Sequence, residues 1–218
     1  NNTRMATAAK LRELLFKANE YSMKLSEARQ DPSKRPAFDM KLDAMLPVVR
    51  KQLPLKAHAH RADDICTAIR IAKEFDLKLT LEHVTEGQFI LPQLQAANVP
   101  LAVGPNLHAN SKFEIRNMTF TTPGVLSKAG LQVSIVTDAP IVPLKYLAMS
   151  AGLAVKSGMD HTEALKAITI NPAKHLGIAD RVGSLEVGKD ADIVITDGDP
   201  LAMFTTVRTV LINGEIVA

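Results

Sequence analysis

The sequence predicts an α/β fold, a partial (β/α)8 TIM barrel of parallel strands and helices followed by a small β piece. Three observations carry this. After Pro54, short apolar runs alternate with amphipathic stretches of helical period, which is the pattern of βα units in a parallel sheet. Three runs finish in histidine or carboxylate: Leu55-Lys56-Ala57-His58-Ala59-His60, Leu81-Glu82-His83 and Val136-Thr137-Asp138. From Gly183 the composition turns to glycine, aspartate and β-branched residues, which favour turns and short strands. The expected boundaries are 1–180 for the barrel portion and 181–218 for the β piece, with a helical lead-in over 1–53 and βα units over 54–180.

Taken in order, Met5, Ala8, Leu11, Leu14, Leu15, Ala18 and Leu25 recur at helical spacing, so 3–30 reads as one long helix capped by Asn2 or Thr3. Asp31 to Pro36, with two prolines among charges, reads as a loop. Leu42, Met45, Leu46 and Val49 imply a second helix despite Pro47. The βα portion then reads as strands at 55–58, 77–83, 99–104 and 132–138, with helices at 63–75, 86–97 and 123–130. Residues 105–122 form a connection longer than ordinary loops, and at the carboxyl end of a strand such a loop carries binding residues. Two further helices are expected at 144–157 and 162–170, the second capped by Asp160 and stopped by Asn171-Pro172. Asn213-Gly214 between Val210-Leu211-Ile212 and Glu215-Ile216-Val217 is a hairpin signal.

Composition narrows the function classes. At 218 residues and 46% apolar side chains the chain can bury a substantial core. A net charge of +3, no tryptophan and two tyrosines leave little to stack or hold nucleic acid, so none is expected as a partner. No apolar run approaches the ~20 residues that span a bilayer, and no membrane partner is expected. Cys66, the lone cysteine, has no partner for an internal disulfide, which fits a cytoplasmic location. Asn1-Asn2-Thr3-Arg4 shows no signal-peptide pattern, and a start at asparagine suggests that a segment has been removed.

The strand ends carry the chemistry. His58 and His60 are two apart on one strand and share a face, and His83 closes the next strand. A catalytic zinc takes three protein ligands from histidine and carboxylate and keeps one position for water. His58, His83 and Asp138 fill that list. Each alone reads as a hydrogen-bonded strand end or a turn. Together they gain weight because the carboxyl ends of barrel strands open on one face. His108 and Arg116, on the long connection, could meet a substrate carboxylate, although a solvated loop with a salt bridge is the favoured reading of them. His161 and His175, near helix ends, read as surface residues.

The run Leu55 to Asp64, Leu81-Glu82-His83, Thr137-Asp138, and the tail from Asn171-Pro172-Ala173-Lys174 through Gly183 to Asp192 resemble the amidohydrolase superfamily, in its imidazolonepropionase-like and prolidase-like branch. The resemblance covers essentially the whole chain. It implies barrel strands five to eight followed by strands of a small β-sandwich domain. It also implies that His58 and His83 are ligands of a divalent metal, most simply zinc, and that Asp138 is both ligand and general base. Asp138 then takes a proton from the activated water and passes it to the leaving nitrogen of an amide, lactam or dipeptide-type substrate. His60, Arg61, His108 and Arg116 fall on the substrate side.

The departures are informative. The family's first strand carries a His-x-His pair and its fourth a lysine or glutamate bridging two metals, and nothing before His58 supplies either. The complete enzyme would hold one or two ions, and this chain one or none. A missing amino-terminal half or a second copy is therefore the expected partner, with homo-oligomerisation as the simplest assembly. Relatives also carry histidine where this chain has Ala139. A non-catalytic structural or interaction remnant is the alternative reading, and a ligand-binding α/β domain without turnover is a third.

Overall fold

The computed structural model describes residues 3–218. It divides into two compact units: residues up to Ala57 with Asp63–Thr80, and His58–Ala62 with Leu81–Ala218.

In the first unit, α1 (Arg4–Glu27) begins where the Ala6 amide donates to Thr3 Oγ1 at 3.1 Å. Thr3 is thus the cap, and Asn2, the other candidate, lies outside the described residues. Leu15, Ala18 and Tyr21 form its buried stripe, and α1 packs on α2 (Met40–Val49), which is capped by Asp39. The expected loop at 31–36 contains a short 3-10 turn, Pro32–Lys34, capped by Asp31. Pro47 sits inside α2, and its carbonyl accepts the amides of Gln52 and Leu53, turning the chain towards the first strand. Helix α3 (Ala62–Glu74) is tied to α1 by Arg4–Asp64 at 2.8 Å and Arg12–Glu74 at 2.7 Å.

Four strands, β1 (Leu55–Ala59), β2 (Leu79–His83), β3 (Leu101–Val103) and β4 (Val133–Ile135), lie in the order β1-β2-β3-β4. β2 to β4 are parallel, with Leu81, Leu101 and Val133 in one row and Glu82, Ala102 and Ser134 in the next. Alternation sends these two rows to opposite faces. Helix α4 (Leu91–Ala97) precedes β3 and α5 (Thr122–Lys128) precedes β4. The single helix expected at 86–97 is broken into a 3-10 turn at Gly87–Phe89 and α4, because Pro92 suits a first turn, where no amide bond is needed.

Helices α6 (Leu147–Lys156) and α7 (His161–Ile168) bury Ala151, Ala154, Ala164 and Ala167 against Ile135 of β4, Met159 and Leu201. Asp160 caps α7 as expected, accepting the Glu163 amide at 3.0 Å. The sequence reading stops at Asn171-Pro172, but the chain forms another helix, α8 (Ile170–Leu176), with Pro172 in its first turn. Helix α8 packs on β3 and β4, and Asn171 Nδ2 donates to the Val133 carbonyl at 2.8 Å. The tail forms an antiparallel sheet of β5 (Ile193–Thr196), β6 (Val207–Ile212) and β7 (Glu215–Ile216), and the expected hairpin turns at Asn213-Gly214, both at positive φ.

Candidate functional site

Three imidazoles meet where β1 and β2 end. One ligand-capable nitrogen from each of His58, His60 and His83 lies within 4.8 Å of the others. The ring centroids are 4.2 Å apart for His58 and His83, and 4.5 Å for the stacked His60 and His83. His60 and His83 are buried, and His58 is exposed.

The backbone at the end of β2 turns His83 into this group. In register, His83 stands opposite Val103 and Ile135, and Ile135 packs on α6 and α7. Strict alternation would send His83 to that helix-packed side. Instead φ is 75° at His83 and 49° at Val84. This left-handed excursion swings Cβ about the N–Cα bond, and the ring joins His58 and His60. Hydrogen bonds hold the excursion: the Val84 amide donates to the Ala59 carbonyl at 3.1 Å, and the Glu86 amide to the His60 carbonyl at 2.9 Å.

The ring nitrogens are oriented for ligation. His83 Nδ1 donates to the Gly104 carbonyl at 2.7 Å, which leaves Nε2 with a lone pair. His60 Nδ1 bonds Thr85 Oγ1 at 2.8 Å. Burial, helped by His83 and His58, pushes the His60 pKa down to about 4. Burial and then His83 also lower His58, against the opposing pull of the Glu114 and Asp138 carboxylates. At neutral pH both rings are neutral and able to bind a metal. A soft-to-borderline divalent ion fits this donor set.

Gly104 has a specific task. Its φ is +128°, and a Cβ there would sit 2.4 Å from the Val136 carbonyl oxygen. Only glycine places the carbonyl that holds His83.

The other predicted site residues are distributed around this group. Asp138 is not one of the three clustered ligands: β4 stops at Ile135, and Asp138 lies beyond it in an exposed turn at φ 50°, closed by the Ile141 amide donating to its carbonyl at 2.9 Å. It is close enough for its charge to act on His58. His108 and Lys112, on the long connection, help lower His60. Arg116 lies over the Phe113 ring at 3.9 Å, and Arg61 lies 5.9 Å from the same ring.

That long connection is anchored by Glu86, which is only 8% exposed. Its carboxylate accepts from Asn117 Nδ2 at 2.8 Å and from the Ala62 amide at 2.9 Å. Glu86 thereby joins the Arg116 loop to the start of α3, beside Arg61.

The sequence matches the amidohydrolase family over residues 2–217. The chain belongs to the amidohydrolase family. The crystal structure of an amidohydrolase from Thermotoga maritima superposes with a TM-score of 0.94 at 40% identity, covering 99% of this chain and 56% of that one. An imidazolonepropionase of Maricaulis maris is 30% identical over 173 residues, 76% of this chain and 41% of that protein. An adenosine deaminase from Xanthomonas campestris, solved with bound zinc, shares the fold at TM-score 0.58 and 22% identity, covering 79% of this chain and 47% of that one. The chain thus spans about half the length, or less, of these relatives.

Within this amidohydrolase chain, Thr85, Glu86 and Gly104 carry positioning work that no motif announces. Thr85 and Glu86 directly follow the His83 strand end, and the sequence offers no other sign of their role. His175 is a correction: it is not a surface residue but 7% exposed, with Nε2 2.9 Å from Glu82 Oε1. The expectation treated a helix end as exposed, whereas the added turn of α8 carries His175 against the sheet. His161, the other residue read as surface, pairs with Asp199 at 2.9 Å and stays half exposed.

Proposed function

We propose that this chain carries part of the active site of a metal-dependent amidohydrolase acting on the C–N bond of an amide, lactam or dipeptide-type substrate. The observation that carries this reading is the trio of imidazoles at the ends of adjacent strands, with His83 Nδ1 donating to the Gly104 carbonyl and Nε2 left free to ligate. His58 and His83 hold a divalent ion, with His60 as the third imidazole in reach. Zinc is the favoured ion, on the chemistry of an imidazole donor set and the zinc bound to the Xanthomonas adenosine deaminase. When bound, such an ion supplies Lewis acidity and brings the pKa of water to about 7.

Asp138 serves as the general base. Its carboxylate takes a proton as the water oxygen bonds the carbonyl carbon, then returns it to the nitrogen as the C–N bond breaks. Arg61, Arg116 and His108 face the substrate. In the same reading the four parallel strands are strands five to eight of a (β/α)8 barrel, and β5 to β7 belong to its accompanying β-sandwich. The outer strands β1 and β4, and the exposed Val187, Val194, Ile212 and Ile216, are then covered by the remaining half of such a domain. A second copy of the chain is the competing occupant. A cytoplasmic location completes the proposal, on the strength of the single cysteine.

The test is zinc loading followed by exhaustive dialysis. At least one retained equivalent, lost in His58→Ala and His83→Ala, is the expected result. Less than one equivalent, unchanged in the variants, overturns the metal reading. Adding a polypeptide that supplies the remaining barrel strands should then yield hydrolysis of a lactam or N-acyl amino acid, and Asp138→Ala should abolish it. Self-association without that complement, measured by native mass, would instead favour the second copy.

A further inference from the structure

Glu82, immediately before His83, reaches across 93 residues of sequence to His175 of α8, with Oε1 2.9 Å from Nε2. The His175 side chain is 5% exposed, and its other nitrogen, Nδ1, is buried without a hydrogen-bond partner among the described residues. A ring used merely as filling would leave no such polar atom, since an apolar side chain occupies a buried hole without that penalty. Glu82 is the polar contact that orients this ring.

The position of Glu82 gives the contact its meaning. It stands in register with Ala102 and Ser134, on the face opposite Leu81, Leu101 and Val133. The very next residues, His83 and Val84, are both left-handed, a conformation that non-glycine residues keep only where their surroundings hold them. The amide bonds of Val84 and Glu86 hold the downstream side of this turn. On the upstream side stand the strand register and the Glu82–His175 contact. Helix α8 is a firm base for that grip, packing on β3 and β4 with Asn171 bonded to the Val133 carbonyl.

We propose that His175 is a positioning residue of the histidine cluster, fixing through Glu82 the backbone turn that delivers His83. This rests on the reading that the cluster binds a divalent metal. Cobalt(II) titration of the chain tests it, followed by visible ligand-field absorption. His175→Leu fills the same space without the bond and should weaken cobalt binding roughly 10–100-fold, the range for outer partners of metal-ligating histidines, with altered absorption bands. His175→Gln, whose amide can donate to Glu82, should bind within about threefold of the parent. Unchanged affinity and spectrum in folded His175→Leu would overturn the proposal, even if its melting temperature falls. Should His175→Leu fail to fold, Glu82→Ala breaks the same bond from β2 and carries the same two outcomes. If the unmodified chain takes up no cobalt, the metal reading itself falls, and this proposal with it.

Discussion

The ends of β2 and β4 share a backbone device and put it to opposite use. His83 is the last residue of β2 and Asp138 lies three residues beyond β4, both at positive φ, 75° and 50°. His83 is 7% exposed, bonded to the Gly104 carbonyl and stacked on His60. Asp138 lies in an exposed turn outside the three-ligand group. A left-handed residue at a strand end therefore does not itself build a ligand. What builds it is a neighbouring strand end that supplies a carbonyl at the right place, and β3 does this for His83 through Gly104. A histidine can be oriented in advance of any ion because its second nitrogen can be tied down. Among the described residues the Asp138 carboxylate has no such tie and stands open to solvent.

The contrast can be broken in several ways. The largest effect belongs to His83→Ala, which should reduce zinc retention at least about 100-fold, while His108→Ala stays within about twofold in the same dialysis assay. Equal losses would dissolve the distinction between cluster and loop. Gly104→Ala comes next, because its Cβ meets the Val136 carbonyl at 2.4 Å in a backbone region closed to alanine. Urea unfolding should show a loss of about 2–4 kcal/mol, and the folded remainder should bind zinc more weakly.

Acidification tests the burial of the trio without metal. The His60 pKa falls to about 4 in the folded state from an ordinary 6.5. Between those values the unfolded state binds more protons, so stability is complete above pH ~6.5 and falls as pH drops towards 4. At ~1.4 kcal/mol per pH unit, discounted for the open side of the cluster, the loss is about 2 kcal/mol. Denaturation curves at pH 7 and 4.5 should show it, and His60→Gln should reduce the difference. The smallest effect is Asp138→Ala, which should change zinc affinity of this chain by no more than about threefold. A loss as large as that of His83→Ala would place Asp138 among the principal ligands and erase the comparison.

Much of the fold was legible because its signals are local. Apolar period marked α1, α3 and α7, Asp160 announced its own cap, and Asn213-Gly214 announced the last hairpin. Strands β2, β3 and β4 are shorter than the runs that announce them, while β1 runs one residue further, to Ala59. Helix α8 was missed because Asn171-Pro172 marks a stop and a start equally well. His58 and His83 were legible as strand-end imidazoles, and the family likeness gave their pairing. That His60 would lie as close as either was hidden, because its approach depends on the turn at His83 and the Thr85 hydroxyl.

The sequence by itself determined which side chains exist at the strand ends, the parallel α/β class and the family, because periodicity and motif spacing are properties of neighbours along the chain. Only the tertiary structure decided which of those groups converge. His83 joins His58 and His60 through a carbonyl 21 residues away, and Glu82 meets a histidine 93 residues away. Contacts at such separations follow from strand register and helix packing, which no local pattern encodes.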